Sequence, residues 1–584
     1  MPQEHPPKPR FSLSVGIIGH RPNRLPSEAL AKIAAQMELA LRTIGDAAGA
    51  ARQQYADCFS PESVQVTVVS SLAEGADRIG AREALKLGFE LAAPLPFRIE
   101  EFKNDFQDLE SRQEFDQLLG KAATVLEIAS DRSNAGAAYE YAGQTLLDAC
   151  DLLVTIWDGK DSAGRGGTTA LLYEAAQKGM PVIWIEAAAQ ARMRVYWREP
   201  GSRRTEQTYF DEEFRAESGD DILSAIAVIV EHLVCPPRAP AERGALDYFL
   251  RQPFRPLTVN APFPLLMALL GVRKLRSSDF RRTSPEIVAA NLSRQEIAPA
   301  SLVDAFVWAD ECAIFFGQAF RGAFILNFLA TAMVTVVVAL ALQPPWSALE
   351  ICLVALLVYN TSRGRKGRWH KLWIEAREVA ERLRASMLIY AIGSRPELPL
   401  GDAPAWTTWY VRAHLRQVGL RPAVLDHAGL TAIRQSLLSF LEGQQAYHYI
   451  TAKRFTALHE RLSTIGKWLF FFTLGISVTL LIVGLFELST LSNETQRLFF
   501  VLTAGLTALG AAMYGVRVIG DFEGAAARSR RMVAQLKGLA AKLEHAPCRF
   551  DTLREMSHRA ADVLQGDVAS WRLVVESREL EVPG

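Results

Sequence analysis

Cysteine is scarce: six in 584 residues, Cys58, Cys150, Cys235, Cys312, Cys352 and Cys548, with no C-x-x-C pair and no metal-ligand spacing. That excludes a disulfide framework and a thiolate metal site, and it fits a reducing cytosolic compartment. Excess charge of either sign is missing as well. Lys plus Arg and Asp plus Glu are both 64, so no net field draws the molecule onto nucleic acid, and no nucleic-acid partner is expected. The opening MPQEHPPKPRF lacks the apolar core of a secretory signal, so membrane insertion would rely on internal segments. There is no H-E-x-x-H and no G-x-S-x-G, and Gly16, Gly19 and the following GHRP do not complete G-x-G-x-x-G. Zincin, serine-nucleophile and dinucleotide oxidoreductase chemistry have no support, and neither a metal nor a cofactor is expected.

What is present falls into two styles. From residue 11 to about 190, short apolar runs (LSVGIIG, VQVTVVSS, ELAAPLPF, ATVLEIA, LLVTIWDG, PVIWIE) alternate with alanine- and leucine-rich helical patterns. This predicts an α/β Rossmann-like, doubly wound parallel sheet. Residues 191–300 contain one helical run, ILSAIAVIVEHL, and a proline-rich PPRAPAERG; they read as a linker with no assigned job. PFPLLMALLG is too short to span a bilayer, which takes about 20 residues.

The remainder predicts an all-α membrane domain of two hairpins, one within 301–400 and one within 401–584. Candidate spans are 322–342, 346–361, 468–488 and 498–516, the second being short and carrying Glu350. Arg321, Arg363, Arg365, Lys366, Arg368, Arg461, Lys467, Arg517, Arg528, Arg530 and Arg531 flank one end of these spans, whereas only Arg497 lies near the other. By the positive-inside rule both termini face the cytoplasm, in a multi-pass plasma-membrane protein with the lipid bilayer as partner. Ala504, Ala508 and Ala512 form a small-residue stripe, suited either to packing within one bundle or to the seam of a homo-oligomer.

In a doubly wound sheet, ligands bind beyond the carboxyl ends of the strands. Four loops fall there: Gly19, His20, Arg21 and Pro22; Glu74, Gly75, Ala76, Asp77 and Arg78; Pro96 and Phe97; and Asp158, Gly159, Lys160 with Gly164, Arg165, Gly166, Gly167, Thr168 and Thr169. Glycines before a helix start leave backbone N–H groups open to an anion, with threonine hydroxyls available as caps. A phosphate-bearing ligand, a nucleotide above all, is the expected occupant.

GIIGHRP, SSLAEGADRIGAREALKLG, APLPF and TIWDGKDSAGRGGTTALLYEAAQKGMPVIWI occur in an order that resembles the SLOG superfamily of nucleotide sensors. RWHKLWIEAREVAERLR and AAMYGVRVIGDFEGAAARSRRM resemble SLATT-type transmembrane domains. The resemblance implies binding of a nucleotide or nucleotide-derived second messenger. It also implies a homo-oligomeric membrane-permeabilising effector in the bacterial inner membrane, of the kind used in antiviral defence. Related phosphoribohydrolases carry P-G-G-x-G-T-x-x-E with a catalytic glutamate; here the loop reads G-R-G-G-T-T-A-L-L-Y-E and Glu174 stands further along. That departure favours binding over turnover. A membrane-tethered hydrolase and a nucleotide-gated channel or transporter are the alternatives, and no catalytic residue is assigned.

Overall fold

The computed structural model describes residues 4–160, 166–197, 219–257, 261–293, 298–340, 344–396, 404–486 and 492–576. Its sheet is built from β1 (Ser12–Gly19), β2 (Gln65–Val69), β3 (Glu90–Leu95), β4 (Thr124–Glu127), β5 (Leu152–Trp157), β6 (Val182–Glu186), β7 (Met193–Tyr196) and β8 (Ala423–Val424). The spatial order is β7-β6-β5-β1-β2-β3-β4-β8, parallel throughout except for the antiparallel edge strand β7. Between the strands run α1 (Leu30–Gln54), α2 (Ala76–Lys86), α3 (Ile99–Phe102), α4 (Leu109–Leu119), α5 (Ala135–Ala149) and α6 (Thr168–Gln177).

Strands covered on both faces must be apolar on both, and β1 shows it. Leu13, Val15 and Ile17 join one core with Ile33 and Met37 of α1 and Ile79 of α2, while Ile18 joins the other with Ala142 and Leu146 of α5. The doubly wound parallel sheet is thus the observed architecture, with one hydrophobic layer on each side.

Residues 191–300 are more than a linker. They supply β7 and then α7 (Gly219–Val234), α8 (Pro240–Leu250), α9 (Pro262–Leu269) and α10 (Pro285–Ser293). The ILSAIAVIVEHL helix is α7; its Ile226, Ile229 and Val230 pack in the same core as α1.

The second half is helical: α11 (Ala300–Leu340), α12 (Pro344–Lys366), α13 (Trp369–Tyr390), α14 (Ala405–Val418), α15 (His427–Leu485), α16 (Asn493–Gly520), α17 (Phe522–His545) and α18 (Phe550–Glu576). Among the described residues, three helical stretches, Ala300–Leu340, His427–Leu485 and Glu494–His545, are long and apolar enough to cross a membrane. The second of the four expected spans, now α12, is outside that set; Glu350 and Asn360 dilute its apolar run. It still folds back on α11, where Asn360 Nδ2 donates to Asn327 Oδ1 (2.7 Å) and Asn327 Nδ2 donates to the Thr361 hydroxyl (2.9 Å). The apolar part of α15 is bare: Phe470, Phe471 and Leu485 expose 63%, 59% and 69% of their surface. A long helix apolar all round and uncovered is what a lipid environment accommodates.

Sheet and helices are joined by buried charge. Asp151 accepts from the Ser14 N–H (2.9 Å) and from Arg416 of α14 (2.9 Å). Asp148, at the end of α5, pairs with Lys178 (2.8 Å) and with Arg554 of α18 (2.7 Å). β8, lying between α14 and α15, completes the sheet beside β4.

Candidate anion site at the carboxyl edge of the sheet

β1 is flanked by β2 on one side and β5 on the other, so the chain leaves it in one direction and returns in the other. Beyond the carboxyl ends of β1 and β5 such a sheet opens a crevice. His20 and Asp158 stand on its two sides. Their side chains are hydrogen-bonded, Nε2 to Oδ1, at 2.8 Å, and the His20 N–H donates to the Ile156 carbonyl at 3.0 Å. Pro22 opens a single 3-10 turn, Pro22–Arg24, that brings Arg24 back onto Asp158 in a two-pronged ion pair (2.6 to 3.1 Å). Burial by itself would raise the Asp158 carboxyl, but the bonds from His20, the Lys160 N–H and Arg24 outweigh it and hold it at about 2. Burial lowers the His20 imidazole against the pull of Asp158, favouring its neutral form.

Two glycines permit the close approach of the surrounding loops. Gly75 has φ +95°, and a Cβ there would lie 2.5 Å from the His20 carbonyl oxygen. Gly166 has φ +75°, and its Cβ would lie 2.6 Å from the Glu140 nitrogen in α5. These contacts draw the starts of α2, α5 and α6 to the same edge. None of the three has a side-chain cap, and first-turn N–H groups have no intrahelical acceptor, so the positive ends of three helices are presented together, although the first N–H of α2, that of Ala76, is taken by the His20 carbonyl. Arg21 is exposed, lies over the Tyr139 ring of α5 at 5.7 Å and hydrogen-bonds its hydroxyl, and its charge reaches the Asp77 carboxyl; it forms no salt bridge among the described residues.

Several expected residues are placed differently. Gly167, not a threonine, is the N-cap of α6, and the Thr169 hydroxyl donates to the Lys160 carbonyl (3.3 Å). Arg78 is buried and turned away: it donates to the Leu72 carbonyl (3.2 Å) and to Ser111 and Glu114 of α4, over the Phe106 ring. Glu74 accepts from the Ser111 hydroxyl. Asp77 folds back onto the Ala73 N–H (3.4 Å), and burial pushes its carboxyl up to about 7. The Ala76 N–H donates to the His20 carbonyl (3.1 Å), and Gly159 takes φ +76° where a Cβ would lie 3.5 Å from the Trp184 ring. Gly164 and Arg165 lie outside the described residues. Glu174 sits two turns along α6, beside Gln144, Lys178, Asp148 and Arg554, and burial raises it.

The loop after β4 is a fifth contributor. Arg132 pairs with Asp105 and lies over the Phe97 ring (4.3 Å), while Asp105 also accepts from Tyr139. Burial and that bond push the Tyr139 hydroxyl up to about 12. The turn-rich DRSNAG after ATVLEIA was the available signal for this loop. Elsewhere Asp57, Cys58 and Asp247 come within metal-binding distance of one another, but the Arg243 guanidinium bonds both carboxylates and already fills the role of cation.

No family model matches the chain, and no curated protein is detectably similar to it.

Proposed function

We propose that the chain is a membrane-anchored sensor that takes a nucleotide or another phosphate-bearing small molecule at the β1–β5 crevice and relays its presence to the membrane helices. The observation that carries this reading is the meeting of three helix N-termini without side-chain caps with the exposed Arg21 guanidinium, which forms no salt bridge among the described residues, at the switch point of the sheet. Backbone N–H groups would bind phosphate oxygens, Arg21 would add charge, and the neutral His20, held by Asp158, would present one face of a rigid floor. Glu174 stands with the Asp148 cluster rather than with His20, which favours binding over glycosidic hydrolysis. The resemblance to SLOG and SLATT domains supports the same assignment, with cytoplasmic termini and a membrane-permeabilising response.

The test is mass spectrometry of small molecules released by heat from the purified full-length protein. A phosphate-bearing compound should be recovered, and Arg21→Ala should bind it about tenfold to a hundredfold more weakly, the loss expected of one charged hydrogen bond. Equal affinity in the variant would remove Arg21 and the crevice from the site.

A further inference from the structure

A second concentration of positive charge lies far from the sheet edge. At the sheet-side end of the apolar helices, α9 and the turn after it, α11, α13, α15, α17 and α18 enclose a cavity of about 480 Å³, the size of a small-molecule pocket. Six arginines line it, Arg273, Arg276, Arg321, Arg377, Arg454 and Arg528, against three carboxylates, Asp279, Glu381 and Asp567. Burial raises Asp567, so its negative charge is the least secure of the three.

The pairing is incomplete. Arg273 is matched by Asp279 (2.9 Å), Arg377 by Glu381 (2.5 Å) and Arg528 by Asp521 (3.1 Å). Arg276, Arg321 and Arg454 form no salt bridge among the described residues; Asp279, already bound to Arg273, is the nearest counter-charge to Arg276 and accepts its backbone N–H (2.9 Å). Arg454 faces the positive charges of Arg273 and Arg276. Arg321 is held between the Phe263 and Trp373 rings at 5.4 and 4.6 Å. The Nδ1 of His448, on the same wall, is buried without a hydrogen-bond partner. Gathering like charges in a partly dry space costs free energy that a bound counter-charge returns.

We propose that this chamber binds a polyanion carrying two or more phosphate charges, held by Arg276, Arg321 and Arg454 at the foot of the membrane helices. An anionic phospholipid headgroup and a soluble oligophosphate share that chemistry. Apolar walls from Phe263, Met267 and Phe455 suit either source. The site does not depend on the crevice reading.

The full-length protein is placed in nanodiscs of phosphatidylcholine alone, or with cardiolipin, and its melting temperature is followed with and without inorganic pyrophosphate. Stabilisation by cardiolipin alone assigns the lipid; stabilisation by pyrophosphate in phosphatidylcholine that Arg454→Gln weakens assigns the soluble ion. In either case Arg454→Gln should weaken the effective probe about tenfold, while the unliganded variant melts no lower than the parent because a repelled charge has been removed. Arg276→Gln, in an exposed turn, repeats the test should Arg454→Gln fail to fold. The proposal is overturned if neither probe stabilises the parent, or if the arginine variants respond at the parent's concentrations.

Discussion

Asp158 sets the electrostatics of the crevice: one carboxylate accepts from His20, Arg24 and the Lys160 N–H, so Arg24 is committed to it while the exposed Arg21 is not. Buried histidines elsewhere give the residue scale its pH dependence. His414 of α14 packs on Tyr410 at 4.5 Å, and burial pushes it down to about 4 from an ordinary 6.5. A depressed folded value means that the neutral form is needed. The contribution is complete above pH 6.5, drains away as pH falls towards 4, and amounts to about 3 kcal/mol. His414→Phe keeps the ring and removes the titration, so its melting temperature should fall less between pH 7 and 4.5 than the parent's. Parallel pH profiles would show that His414 is not the group responsible.

At the scale of elements, α5 links the two halves of the molecule. Its first turns carry Tyr139 and Glu140 against Arg21 and Gly166; its last turn carries Asp148 against Arg554. Arg554 also donates to Gln144 (2.9 Å) and Ser394 (3.1 Å), and α18 continues to Asp567 and Trp571 in the arginine chamber. A shift of α5 on ligand binding therefore has a packed route towards the membrane helices, provided the ligand favours one of two arrangements. Arg554→Gln leaves the buried Asp148 with Lys178 alone and should cost about 2 kcal/mol of stability. Binding at the crevice should stay within about twofold of the parent, while hydrogen exchange in α18 stops responding to ligand. Retained protection changes in α18 would place the relay elsewhere.

For the whole molecule, the sheet was legible because its strands are apolar on both faces and separated by helix-length patterns. β8 was not, since Ala423 and Val424 form a two-residue strand whose partner lies about 300 positions earlier. The crevice glycines were legible as loop signals, yet Arg24 and Tyr139 were not, because a 3-10 turn delivers the one and the first turns of α5 the other. Arg78 read as a ligand contact from its place after a strand; the rotation of α2 turns it into the contact with α4 instead. The arginine chamber has no local signature at all, since its walls are drawn from residues between Phe263 and Trp571. Of the alanine stripe, Ala512 is buried and Ala508 packs against the same core, whereas the apolar face of α15 stays exposed.

The central claim, that occupancy of the crevice governs the membrane helices, is tested most directly by dye release from vesicles reconstituted with the full-length protein. The trigger is the phosphate-bearing compound recovered from the purified protein. Parent vesicles should release dye on its addition, and vesicles carrying Arg21→Ala should need about ten times as much. Release at the same concentration in both, or none in the parent, would contradict the account.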